Sequence, residues 1–189
     1  VIATVPYSEA ESEARWTAPR DDCPHPEWWH SADDESTERE VSLLVAAFVR
    51  ALQPEVVVES GTATGQTAEA IGLALRDNGH GHLYTTETDP ERAHIARLRC
   101  QILPVTVVEL PTAEFDPPGP IDFAWIDGHI AERAADLRHL RPYLAPGAVV
   151  GVHDASPFHG IRQLVEAETW IRWIYLPTPR GVLFGEVVG

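Results

Sequence analysis

The chain contains no lysine: all 14 of its basic residues are arginine. That absence excludes Schiff-base chemistry and any catalytic lysine. Cysteine is scarce as well. Cys23 and Cys100 are too few for a disulfide framework or a cysteine metal cluster, and they suit a reducing cytoplasm. No apolar run approaches the ~18 residues of a membrane span. The opening Val1-Ile2-Ala3-Thr4-Val5-Pro6 has neither the basic start nor the apolar core expected of a secretory signal. Positive charge is in deficit, with a formal net charge of -15. So acidic a chain argues against nucleic acid or an anionic membrane as the partner, and a neutral or cationic small molecule is expected instead.

What is present suits a single domain with a real core: 189 residues, 44% of them hydrophobic and 23% charged. No internal repeat is visible. Residues 1–35 are acidic and interrupted by Pro6, Pro19, Pro24 and Pro26, so they read as an extended arm with at most a short helix over residues 8–15. Within the arm, Trp28-Trp29-His30 either packs back onto the domain or forms a lid over a substrate pocket. Residues 36–189 form the folded domain.

Hydrophobic periodicity divides that domain into alternating elements. Thr37 followed by Glu40 reads as a capping box, and Val41, Leu44, Val45, Phe48 and Leu52 continue at helical spacing until Pro54. Strands are predicted over residues 55–59, 83–87, 105–110, 121–126 and 148–152. Helices are predicted over 65–75 with a stop at Asn78-Gly79, from Asp89-Pro90-Glu91 to about 101, over 131–143 and over 161–167. Pro146-Gly147 reads as a turn. Runs 170–176 and 182–188 have only a short connection between them and form an antiparallel hairpin. Trp125 is expected in the core, and Trp170 and Trp173 against the sheet edge. The fold class is α/β: a doubly wound, Rossmann-like sheet, mostly parallel with an antiparallel C-terminal hairpin.

In such sheets ligands bind beyond the C-terminal ends of the strands. The residues falling there are Glu59, Glu87, Thr112, Asp127, His129, His153 and Asp154. His30 and His159 are lesser pocket candidates by position. The first strand, Val56-Val57-Val58, runs into a turn bearing Gly61 and Gly65, which suits close approach of a ligand to the backbone.

Glu59-x-Gly61-x-x-x-Gly65, with an acid ending the second strand, resembles the class I S-adenosylmethionine-dependent methyltransferases. The Gly-x-Gly-x-x-Gly of dinucleotide dehydrogenases is missing. Ile126-Asp127-Gly128-His129, Asp136, Leu144-x-Pro146-Gly147 and Val152-His153-Asp154 are similar to one branch: the small metal-assisted O-methyltransferases related to catechol and macrolide-sugar O-methyltransferases. The resemblance covers residues 37–189. It implies a methyltransferase domain that methylates a small-molecule hydroxyl with divalent-metal assistance. A metal-independent N- or O-methyltransferase, and a non-catalytic cofactor-binding module, stay open beside it. A cytoplasmic protein is expected, with a homodimer left open.

The resemblance also implies roles. Gly61, Thr62, Ala63 and Gly65 would wrap the methionine portion of S-adenosylmethionine, and Glu59 would fix that turn. Glu87 would accept from the ribose hydroxyls, Thr112 would meet the adenine, and Asp127 would serve both cofactor and metal. Asp127, His153 and Asp154 would form a cation site. Oxygen ligands suit magnesium, whereas an imidazole suits a transition metal. His153 either ligates, points away or stands in a site without metal. His129 would be the general base, near its task at neutral pH, with His153 as the alternative base.

Overall fold

The structure, a computed structural model, describes residues 23–31 and 36–188. The short helix expected at residues 8–15 lies outside the described residues. Seven strands form one sheet in the order β3-β2-β1-β4-β5-β7-β6. They are β1 (Val56–Ser60), β2 (His82–Thr86), β3 (Val105–Val108), β4 (Ile121–Ile126), β5 (Leu144–His153), β6 (Ile171–Leu176) and β7 (Val182–Val187). The first five are parallel, and β7 lies antiparallel between β5 and β6. The expected hairpin forms, but its second strand inserts next to β5.

Helices cover both faces, so the central strands are apolar on both sides. Helices α1 (Arg39–Leu52) and α2 (Gln66–Asn78) pack Val45, Val49, Ile71 and Leu75 onto Val57, Leu83, Trp125 and Phe184. Helix α3 (Pro90–Arg99) adds Ala93 and Ala96 against Val107. Across the sheet, α4 (Arg133–Leu140) and α5 (Ile161–Glu166) pack Leu137, Leu140, Ile161 and Val165 onto Val58, Ile126, Val152 and Leu183. Trp125 is fully buried, as expected of a core residue.

Local chemistry explains most boundaries. Asp89 caps α3, its Oδ1 accepting from the amides of Glu91 (2.8 Å) and Arg92 (3.0 Å), with Pro90 at the first helical position. Gly79 ends α2 in the left-handed conformation. Two expectations fail. The capping box does not form: Glu38 is the N-cap, the Thr37 hydroxyl donates to Asp127, and Glu40 accepts from the amide and ring of His30. Nor is Pro146-Gly147 a turn outside the sheet, because β5 runs through it, with a register irregularity against β4. Proline costs the ladder little at such a shift.

Trp29 packs against the core, while Trp28 is 66% exposed and stacks on His25 at 4.0 Å. Among the described residues, no helix is long and apolar enough to cross a membrane.

Candidate active site

Strand order reverses between β1 and β4, and a cleft of about 490 Å³ opens beyond their C-terminal ends. Register brings Ser60 level with Ile126, and Ile126 level with Val152. The residues just past these strands therefore meet: Gly61 after β1, Asp127 after β4 and Asp154 after β5.

One wall is built by the segments that follow β1, β2 and β3. Ala63, Glu87, Asp89, Arg92 and Thr112 line it. Glu87 is half-buried and staples the turns together, since its carboxylate accepts from the amides of Ala63 (2.8 Å), Thr88 (2.8 Å) and Asp89 (2.9 Å). A carboxylate offers about four lone-pair sites, so it retains accepting capacity toward the cleft. The Thr112 hydroxyl is 2.8 Å from that of Thr86. Beneath this wall, Ser60 donates to Asp136 at 2.5 Å, and burial raises the pKa of that acid.

Three of the expected cofactor residues stand behind the wall. Glu59 is buried and accepts from the Thr85 hydroxyl, which is 2.6 Å from that of Thr62. Burial pushes the Glu59 carboxyl up to about 8, against the Thr85 bond. Thr62 turns its hydroxyl to Thr86 O at 3.0 Å, and Gly65 begins α2. These three shape the turn and do not line the cleft. The glycines answer to packing: a Cβ on Gly61 would lie 2.5 Å from Gly128 Cα, and one on Gly65 would lie 3.0 Å from Ala96 Cβ. Both have φ of +84°, which glycine adopts without steric cost.

The opposite wall carries His129, Ile130, Arg133, Asp154, His159 and Arg180. His129 is exposed in the turn after β4, ahead of α4, and its ring has no hydrogen-bond partner among the described residues. Asp127 sits at the junction of the two walls. Of the lesser candidates, His159 lines the cleft and His30 pairs with Glu40 instead.

Asp127, His153 and Asp154 converge as expected, with one ligand atom of each within 4.8 Å of the others. Their surroundings were not legible in the sequence. Arg133 Nη2 stands between the carboxylates, 2.9 Å from Asp127 Oδ1 and 2.8 Å from Asp154 Oδ2. Arg180 grips Asp154 in bidentate fashion, through Nη2 at 2.8 Å and through Nε. His153 is fully buried and does not line the cleft. Its Nδ1 is 3.0 Å from Asp127 Oδ1 and its Nε2 is 2.6 Å from Glu38 Oε2. Ionised carboxylates only accept, so both ring nitrogens must donate and neither keeps a lone pair for a cation or for a substrate proton.

Electrostatics agree with that geometry. Burial works to lower the His153 pKa, but Asp127, Asp154 and Glu38 outweigh it and push it up to about 9. Burial likewise works to raise Asp154, yet His153, Arg133 and Arg180 hold it well below the usual carboxylate range. Asp127 is lowered against burial by His153 and Arg133. As arranged, the trio does not fit a divalent ion. The roles expected for His153, as metal ligand or as base, find no support in a ring that is buried and engaged at both nitrogens.

Sequence reasoning missed Glu38, Arg133 and Arg180. Glu38 was hidden inside what read as a cap. Arg180 sits in the β6–β7 turn, where an arginine ordinarily faces water. It reaches the site because β6 runs parallel to β5, so this turn falls at the ligand edge, where Ser156 N donates to Arg180 O at 2.9 Å and Ala155 N to Gly181 O at 2.9 Å.

A doubly wound sheet with β7 inserted antiparallel beside β5, and a polar cleft over the β1–β4 switch point, is the architecture of a class I methyltransferase. The family described as "Methyltransferase domain" matches residues 58–155, just over half of the chain, and the chain belongs to it. Solved structures share the fold. The O-methyltransferase TomG of Streptomyces achromogenes, involved in tomaymycin synthesis and solved with S-adenosylmethionine, is 20% identical with a TM-score of 0.69, covering 99% of this chain and 93% of that one. A Podospora anserina methyltransferase with bound S-adenosylhomocysteine is 16% identical with a TM-score of 0.71, covering 82% and 81%. The Bacillus cereus O-methyltransferase in complex with S-adenosylhomocysteine is 17% identical with a TM-score of 0.67, covering 82% and 84%. No curated protein matches the chain.

Proposed function

We propose that the protein is an S-adenosylmethionine-dependent methyltransferase acting on a hydroxyl of a small molecule. The observation that carries this reading is the division of one cleft at the switch point into two unlike walls. One presents Ala63, Glu87 and Thr112, and the other presents His129 beside fixed arginines. The cleft is a fair size for a nucleoside joined to an amino acid plus part of an acceptor, since small-molecule sites run ~300–1,000 Å³.

The residues present fit the cofactor. Glu87 would accept from the ribose hydroxyls with its remaining lone pairs, and Thr112 would flank the base. Acids are numerous along the cleft, among them Glu87, Asp89, Asp127, Glu132 and Asp136, which suits a ligand carrying a sulfonium and an ammonium. When bound, S-adenosylmethionine supplies a methyl group on a good leaving group. The chain's own part is to orient the acceptor and take its proton. His129 is the side chain placed to receive that proton, because it is exposed to the cleft and its ring is unengaged. O-methylation is favoured over N-methylation because TomG and the Bacillus cereus neighbour are O-methyltransferases. We place the protein in a reducing cytoplasm, where the buried Cys23 and Cys100 stay as thiols.

Isothermal titration with S-adenosylhomocysteine tests the cofactor. One site per chain is expected, and Glu87→Ala should weaken it by about 10–100-fold, the range for hydrogen bonds to a charged group. Absence of binding to the wild type would remove the reading.

A further inference from the structure

The wall opposite Glu87 carries two guanidiniums held by several protein groups each, Arg133 and Arg180. Arg133 is 5% exposed at its side chain. Its Nε donates to Gly128 O at 2.8 Å, its Nη1 to His153 O at 2.6 Å, and its Nη2 reaches both Asp127 and Asp154. Three backbone carbonyls, that of Asp127 at 3.4 Å included, and two carboxylates thus fix the guanidinium plane between the ends of β4 and β5. Arg180 backs Asp154 from the other side, with Nη1 donating to Ser36 O at 3.1 Å and its backbone N–H to Glu38 Oε1 at 2.9 Å. Glu38 is fully buried and closes the cluster onto His153. Thr37 donates to the second oxygen of Asp127 at 2.5 Å.

Among the described residues, the ion pairs of this cluster match charge for charge. Glu38, Asp127 and Asp154 supply three negative charges; Arg133, Arg180 and a doubly donating His153 supply three positive ones. A divalent ion bridging Asp127 and Asp154 would have to take the position of Arg133 Nη2, and it would leave the cluster with excess buried positive charge. Two of these six residues, Glu38 and Arg180, lie outside the residues 58–155 that the family matches.

We propose that the guanidinium of Arg133, buttressed by Arg180, occupies the cation position of this active site, so that the protein binds no divalent metal there. The exclusion of metal stands on the cluster alone. That this position belongs to an active site rests on the methyltransferase reading above.

Mn²⁺ titration followed by electron paramagnetic resonance tests it on the full chain. The wild type should show no stoichiometric binding. Arg133→Met, which leaves Asp127 and Asp154 facing each other, should gain one Mn²⁺ per chain at an affinity about 10–100-fold above wild type, the usual worth of a correctly disposed ligand shell. Adding Asp154→Asn should remove that gain. One Mn²⁺ per wild-type chain, lost in Asp154→Asn, would overturn the proposal. So would a folded Arg133→Met protein, checked by circular dichroism, that still refuses Mn²⁺. The wild-type titration decides even if Arg133→Met fails to fold. S-adenosylhomocysteine titrated into the same samples separates the two claims: its failure to bind any of them refutes methyl transfer without touching the metal result.

Discussion

At Glu59 burial wins over hydrogen bonding. The carboxyl accepts from Thr85 and still has its pKa pushed up to about 8, because burial outweighs that bond and the charges of Asp127 and Glu87 add to the rise. A folded-state pKa above the unfolded value means full stability below pH ~4.5 and progressive loss as pH rises toward 8, at ~1.4 kcal/mol per pH unit. Glu59→Gln keeps an acceptor for Thr85 and does not titrate. Its thermal stability relative to wild type should therefore increase between pH 5 and 8 and level off above, as read by calorimetry across that range. A constant difference would mean the carboxylate is compensated. His129 is the contrasting residue, exposed at the cleft and with no side-chain partner among the described residues. His129→Ala should leave the melting temperature and S-adenosylhomocysteine affinity unchanged while lowering turnover by about 10²–10⁴, the usual worth of a general base.

Among the elements, the strands were legible because their residues are apolar on both faces and bounded by proline, glycine or a good cap. Residues 121–126 were predicted and found as a strand, and Asp89-Pro90 starts a helix as its chemistry requires. The start of α1 was misread because Thr37 and Glu40 have stronger partners elsewhere: a buried carboxylate for one, a histidine for the other. A capping box is a local preference worth ~1 kcal/mol, and charge-assisted tertiary bonds exceed it. The β1 turn carries its own test. Gly61→Ala would drive a methyl group into Gly128 and Asp127 O while imposing an unfavourable φ. A loss of about 3 kcal/mol is expected, from overpacking plus left-handed strain, and chemical denaturation would measure it. Gly79→Ala shares the positive φ but meets nothing within 4 Å, so it should cost only about 1–2 kcal/mol.

For the whole molecule, the buried ionic cluster and Glu59 act together on the pH profile. His153, raised to about 9, contributes stability below its unfolded value near 6.5 and loses it as pH rises through 9. Asp127 and Asp154 are lowered, so their contribution is present above ~4 and is lost in acid. Stability should peak on the acid side of neutrality and fall steadily from pH 6.5 to 9, which melting curves at fixed ionic strength would show. The cluster was half legible in the sequence. Asp127, His153 and Asp154 could be placed at the sheet edge from strand order alone. Glu38 and Arg180 could not, because they arrive from 142 residues apart and only the inserted β7 brings them together.

The cofactor site proposed here works without a metal ion. Isothermal titration of S-adenosylhomocysteine into chelator-treated wild-type protein, repeated with excess Mn²⁺, addresses this most directly. One site per chain with the same affinity in both titrations is predicted. No binding in either, or binding that appears only with Mn²⁺, would contradict it.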